Sequence, residues 1–175
     1  MKRRSIISTM GIIAAGSSGC LTIAESENGT EKPLSEFSCP PYNPEPTAVC
    51  SHTVGEKEKS VYLLPSSKKI GTGEDIEFTL YNKSGEELEF NPYQWKIHHY
   101  SSGNWTKVEK EYSVSGKLTV SPHSTHTWSG DEVINSISSS FAFVIGVNAV
   151  EIGIPDPING DWTQCVSLFR IAEDI

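Results

Sequence analysis

The chain has 175 residues, of which 37% are hydrophobic and 21% charged, and its formal net charge is −8. That balance supports one packed domain plus a leader and excludes wholesale disorder. The acidity also argues against a nucleic-acid binder, which needs basic patches to neutralise phosphates.

Residues 1–19 read as a signal peptide. Lys2, Arg3 and Arg4 make a positive start, and Ile6 to Ala15 form an apolar run. That run is about half the ~20 residues a membrane span needs, so it reads as a secretory leader. Arg3-Arg4-Ser5-Ile6-Ile7 resembles a twin-arginine export signal. Ser17-Ser18-Gly19-Cys20 resembles a lipobox, with serine where an aliphatic residue is usual. Cleavage before Cys20 would leave it as the lipidated N-terminus. Residues 20–38 are polar and acidic, broken by Asn28-Gly29 and Pro33, and read as a lipid-anchored, disordered tether.

Residues 39–59 form a proline-rich, cysteine-containing segment. Pro40, Pro41, Pro44 and Pro46 fall between Cys39 and Cys50, which forbids a helix or a central strand there. An irregular, extended path along the domain is expected.

Residues 60–175 read as β almost throughout. Val61 to Leu64 is a short strand ended by Pro65. Ile76, Phe78 and Leu80 alternate with Glu77, Thr79 and Tyr81, the period of a half-buried strand. Tyr93, Trp95 and Ile97 repeat that period after the Asn82-Lys83-Ser84-Gly85 turn. Further runs cover Trp105 to Val108, Leu118 to Val120 and Thr125 to Trp128. Phe141, Phe143, Ile145 and Val147 alternate again. Gln164 to Ile171 is the last strand, and its apolar residues fall on both faces, so its inward face stays open. Asp131 to Ser138 is the one place for a short helix, and it reads equally as loop. Many short strands with polar turns imply a sandwich or barrel. Ile76, Phe78, Leu80, Trp95, Ile97, Phe141, Phe143 and Ile145 are the expected core.

Little in the chain points to catalysis. The region after the leader has no Gly-x-Ser-x-Gly, no His-Glu-x-x-His and no phosphate-binding glycine loop, so neither an enzyme nor a cofactor is expected. His98 and His99 are adjacent on a strand and point to opposite faces. With His52, His123 and His126 they do not form a metal-ligand pattern. Asp156, Asn159 and Asp161 crowd one loop, but their spacing is not that of a calcium loop. No metal site is expected. Asn28, Asn82 and Asn104 each begin an Asn-x-Ser/Thr glycosylation acceptor. Trp105, Trp128 and Trp162 lie near turns; exposed aromatics there could anchor a partner, but burial in hairpin packing is the favoured reading.

Gly-Glu-Asp-Ile-Glu-Phe-Thr-Leu-Tyr-Asn (73–82), then Trp95-Lys96-Ile97, then Gly103-Asn104-Trp105-Thr106-Lys107-Val108 resembles prokaryotic immunoglobulin-like domains of surface proteins. The resemblance covers roughly residues 60–172. The whole order of leader, Cys-Pro-Pro segment and one β domain is similar to small surface lipoproteins of haloarchaea. One position departs: Phe141 stands where such domains often carry a tyrosine that ties a corner to the backbone. The resemblance implies an all-β, immunoglobulin-like sandwich and an address on the outer face of the membrane. It implies no catalytic residues. In such a sandwich the first strand often runs parallel to the last, which would bring the segment entering it near Cys165. A bridge from Cys165 to Cys50 or Cys39 is therefore favoured over the local Cys39–Cys50 pair.

The expected function is a secreted lipoprotein acting as a non-catalytic binding module. It would be held to the membrane by its lipid and engage an envelope protein or glycan, not nucleic acid. The alternatives are a solute- or metal-binding accessory lipoprotein, using the histidines or the Asp156–Asp161 loop, and a structural envelope component.

Overall fold

Two β-sheets, packed through one apolar layer, form the framework of the chain from residue 47 onward. The computed structural model describes residues 31–40, 47–55 and 59–173. The expected signal peptide, Cys20, Asn28 and the tether as far as Thr30 lie outside the described residues. The strands in chain order are β1 (Thr47–Cys50), β2 (Val61–Pro65), β3 (Lys69–Gly71), β4 (Glu77–Asn82), β5 (Leu88–Phe90) and β6 (Trp95–Ser101). They continue with β7 (Asn104–Lys107), β8 (Leu118–Val120), β9 (Thr125–Ser129), β10 (Gly146–Pro155) and β11 (Trp162–Ala172). Among the described residues there is one α-helix, α1 (Gly130–Asn135), which follows β9.

The larger sheet has the order β1-β11-β10-β6-β7, with β3 also on β11. The smaller sheet is β2-β4-β9, and β5 pairs with β8 separately. The two sheets face each other across a shared apolar layer, the architecture of an all-β sandwich, and each draws strands from early and late in the chain. Both β1 and β3 run parallel to β11, along successive stretches of its outer edge. That leaves little of this long edge unpaired, which protects it from edge-to-edge association.

The alternation in β4 places Phe78 and Leu80 inward at 0% exposure. They meet Leu63 of β2, Trp128 of β9 and Trp95, Ile97, Val150, Ile152 and Phe169 of the larger sheet. Helix α1 starts with a capping box: Ser129 Oγ accepts from Glu132 N, and the Glu132 carboxylate accepts from Ser129 N. Two orphan N–H groups are satisfied that way, and Val133 is buried in the same core.

Several expectations are corrected. Tyr93 is not an inward strand residue. Asn91 Oδ1 accepts from Tyr93 N, and the strand begins only at Trp95, leaving Tyr93 41% exposed. The alternation read through 141–147 is not one strand either. Gly146 has φ of +109°, a left-handed value that interrupts the extended chain. β10 starts at that glycine, so Ile145 is 52% exposed, while Phe141 and Phe143 pack partly buried against the core. The proline-rich segment does contain a strand, β1, after its last proline. The expected flexible tether is not flexible to residue 38: Leu34–Glu36 form a 3-10 turn and Phe37 is buried.

The cysteine pairing is corrected too. Cys39 bonds to Cys50, with Cα atoms 6.3 Å apart, and Cys165 is a buried free thiol. The expected approach of the entering strand to Cys165 does occur, because β1 aligns Val49 with Cys165 and Cys50 with Val166. Parity decides against the bridge. Adjacent residues point to opposite faces, so Cys50 joins the outer cluster with Val166 while Cys165 joins the inner core. Burial pushes the Cys165 thiol pKa far up, which keeps it protonated and inert. Peptide mapping without reduction should return a linked Cys39–Cys50 peptide and an unpaired Cys165. With the two cysteines 11 positions apart, reduction should cost at most about 3 kcal/mol on the chain-entropy account.

Candidate binding groove

Register sorts the outer face of the larger sheet into rows. Ala149 lies between His98 and Leu168, and Glu151 between Lys96 and Val166. Gly153 lies beside Gln164, and Pro155 beside Trp162. One end of this face is apolar and the other polar.

The apolar end is covered. Val147, Ala149, Val166 and Leu168 cluster with Phe37 and Cys50, and Leu34, Cys39, Tyr100 and Trp105 pack around them. Residues 32–39 thus form a strap across the face. Trp105 Nε1 donates to Ser38 O at 2.9 Å, and Arg170 Nη2 donates to Lys32 O at 2.6 Å. The Phe37 ring meets Tyr100 edge-on at 4.9 Å, with the Lys32 ammonium 4.7 Å from its centre.

An ion-paired carboxylate marks the boundary. Glu151 is 1% exposed, and its oxygens lie 2.7 Å from Lys96 Nζ and 2.9 Å from His98 Nε2. A carboxylate this deep needs such partners, since burying it alone costs several kcal/mol.

The polar end is open. A groove of about 390 Å³ is lined there by Gln94, Lys96, Lys107, Lys110, Ser113, Gly153, Trp162 and Gln164, with Trp95, Val108 and Ile137 behind them. Trp162 is 52% exposed. Trp162 and the Gln164 amide both lie beside Gly153: a Cβ there would stand in ordinary contact with Trp162 Cε3 at 3.6 Å and closer to the Gln164 amide, at 3.2 Å. Lys110 Nζ donates to Tyr93 O at 2.6 Å, and burial lowers its pKa. The segment carrying Lys110 is clasped at its base. Val108 N bonds Ile97 O, and Glu111 N bonds Ile137 O. The Glu111 carboxylate accepts from Ser139 N and Ser140 Oγ; hydrogen bonds from Ser138 and Ser140 hold its pKa below the usual range.

Trp162 and the β10–β11 loop are held by local bonds. Asp156 N donates to Asp161 O at 2.6 Å, and Gly160 N to Asp156 O at 2.9 Å. Asp156 Oδ1 accepts from Ile158 N, and Asn159 Oδ1 from Asp161 N. These oxygens brace the turn, and Ile158 stands at its tip 84% exposed. Among the described residues no three His, Cys, Asp or Glu gather as a metal site would require.

The other residues singled out from sequence are dispersed. His98 faces outward to Glu151, and His99 lies on the opposite parity. His126 packs on Trp128 with ring centres 4.4 Å apart. His123 sits in a turn at φ of +55°. Of the three tryptophans expected near turns, Trp128 is buried, Trp105 lies under the strap and Trp162 stands open. Asn104 is exposed at the start of β7. Asn82 is not available to a glycan: it is 0% exposed, and its Nδ2 donates to Glu86 O, Val120 O and Ser121 O. The nitrogen that would carry the sugar is committed inside the fold. Sequence reasoning did not find Lys107, Lys110, Gln94, Ser113, Gly153 or Gln164. The one signal for them was that Trp162 and Gln164 share a parity.

No protein-family model matches this chain, and no curated protein matches it. Among solved structures, it is similar to the alkylpurine DNA glycosylase AlkC of Pseudomonas fluorescens, at 13% identity and TM-score 0.32. The match covers 66% of this chain and 31% of that one. The sporulation control protein Spo0M of Bacillus subtilis matches at 10% identity and TM-score 0.31, over 66% of this chain and 50% of Spo0M. A β-glucosidase of Listeria innocua matches at 15% identity and TM-score 0.29, over 64% and 16%. The chain therefore spans half or less of each of these proteins. Likenesses this weak speak to neither activity nor partner.

Proposed function

We propose that this chain is an exported surface lipoprotein, anchored through Cys20, whose sandwich serves as a non-catalytic binding module. One observation carries the reading: the outer face of the larger sheet is covered by the strap at one end and left open at the other. The open end presents Trp162 beside a polar groove, on a loop stiffened by its own hydrogen bonds. Aromatic anchors on rigid supports suit recognition, because little side-chain freedom is lost on binding. Among the described residues no helix is long and apolar enough to cross a membrane. Retention at the membrane through Cys20 would rest on its lipid, at about 0.8 kcal/mol per buried CH₂, with two chains giving stable attachment.

Two measurements test this. Wild-type protein should fractionate with membranes, and Cys20→Ser should lose that hold through release or failed processing. Normal processing with full membrane retention would overturn the anchor. Detergent-solubilised full chain should bind isolated cell envelopes saturably, and Trp162→Ala should weaken that binding at least about tenfold, the effect of losing a hot-spot aromatic. Its melting temperature should not change. Absent or Trp162-independent binding would overturn the assignment of the groove.

A further inference from the structure

We infer that the groove takes an acidic saccharide, a sugar chain bearing carboxylate groups. This rests on the reading of the domain as a binding module and names the chemistry of its ligand.

Trp162 supplies a flat, half-exposed ring seated over Gly153 and beside the Gln164 amide. Such a ring is amphipathic: it offers a π-face to a partner's C–H groups and a polar N–H at its edge. Gln94, Gln164 and Ser113 line the same groove. Amides and hydroxyls both donate and accept, so they match the hydroxyl groups of a sugar ring. A mainly apolar peptide would leave them buried and unpaired, which disfavours it.

Charge adds the acidic element. The chain carries −8 overall, yet the described lining of this groove holds three lysines and no carboxylate. Lys96 is committed to Glu151. Lys107 lines the groove, and Lys110 adds a second positive charge while its Nζ donates to Tyr93 O, so the lining favours an anion. A volume of about 390 Å³ lies within the ~300–1,000 Å³ of small-ligand clefts.

The test titrates the full chain, in mild detergent, with an oligogalacturonate, a neutral glucose oligomer of equal length and an oligoglutamate peptide. Tryptophan fluorescence reports binding. The oligogalacturonate should bind saturably and lose about tenfold in affinity from low to high salt, as exposed ionic contacts are screened. Lys107→Gln should weaken it by about tenfold, the effect of removing one ionic contact of about 1.4 kcal/mol. Trp162→Ala should weaken it at least as much, with melting temperatures unchanged in both variants. Equal, salt-independent binding of the neutral oligomer would overturn the inference. So would preference for the peptide, or no binding of the oligogalacturonate. If the chain still binds envelopes in a Trp162-dependent way, that failure removes the acidic sugar and leaves the binding-module reading standing. If envelope binding fails as well, both are overturned.

Discussion

Trp95→Ala should lower the unfolding free energy by about 3–5 kcal/mol, the cost of emptying a buried aromatic site. Trp95 is 2% exposed and stands where the two sheets face each other. Its ring meets Trp128 edge-on at 5.0 Å and Phe78 at 6.4 Å. On β6 it is aligned with Ile152 of β10, so the cavity would open between the two sheets. Collapse around the gap is hard there, because the neighbours belong to separate strands held by their own ladders. In a domain of this size the loss corresponds to about 10 °C or more in melting temperature. Thermal unfolding followed by circular dichroism measures it. Trp95→Phe, which keeps much of the volume, should cost clearly less. An unchanged melt for the alanine variant would contradict the packing described.

Asn82→Ala should cost about 3–4 kcal/mol, although asparagine at a turn normally counts as a surface residue. The two N–H groups of its Nδ2 are shared among three carbonyl oxygens, and its Oδ1 accepts from Ser84 N and Ser84 Oγ. Each such bond contributes about 1 kcal/mol net, and buried acceptors left bare cost more. Ser121 O also accepts from Ser124 Oγ, which softens the loss at that one site. Asn82→Asp should be at least as damaging at neutral pH, since a carboxylate would face three carbonyl oxygens. Denaturant melts of the two variants give the comparison. A surface-like response, with both near wild type, would show that this side chain is not the tie between the β4 end and the 120–121 segment. The same contacts predict that intact-mass analysis finds no glycan on Asn82.

The inward face of β4 could be read directly, because Glu77, Thr79 and Tyr81 separate Phe78 and Leu80 at a period of two and only one side is apolar. Trp95 and Ile97 were legible for the same reason, whereas Asp131 to Ser138 reads equally as helix or loop, and the capping box and the burial of Val133 decide for α1. Ile145 was misread since periodicity carries no information about φ, and Gly146 breaks the extended path. Part of the groove was invisible because Lys110 and Ser113 belong to a segment that carries no periodic signal, and because nothing local brings Lys107 of β7 to the same place as Trp162 and Gln164.

Sequence alone determined the all-β class, most strand positions and the centre of the core, all of which depend on local alternation. Tertiary structure decided what depends on parity and on distant contacts. β11 is apolar on both faces, so nothing local says that Cys165 points into the core while Val166 and Leu168 point out. Only pairing with β1, β3 and β10 settles that, and with it the Cys39–Cys50 bond. The strap is the clearest case. Phe37 is buried because Tyr100, Val147, Ala149, Val166 and Leu168 come together from three strands to receive it. Residues 32–38 show no repeat of their own, and the driving force for docking them lies in apolar area supplied by residues 60 to 130 positions away.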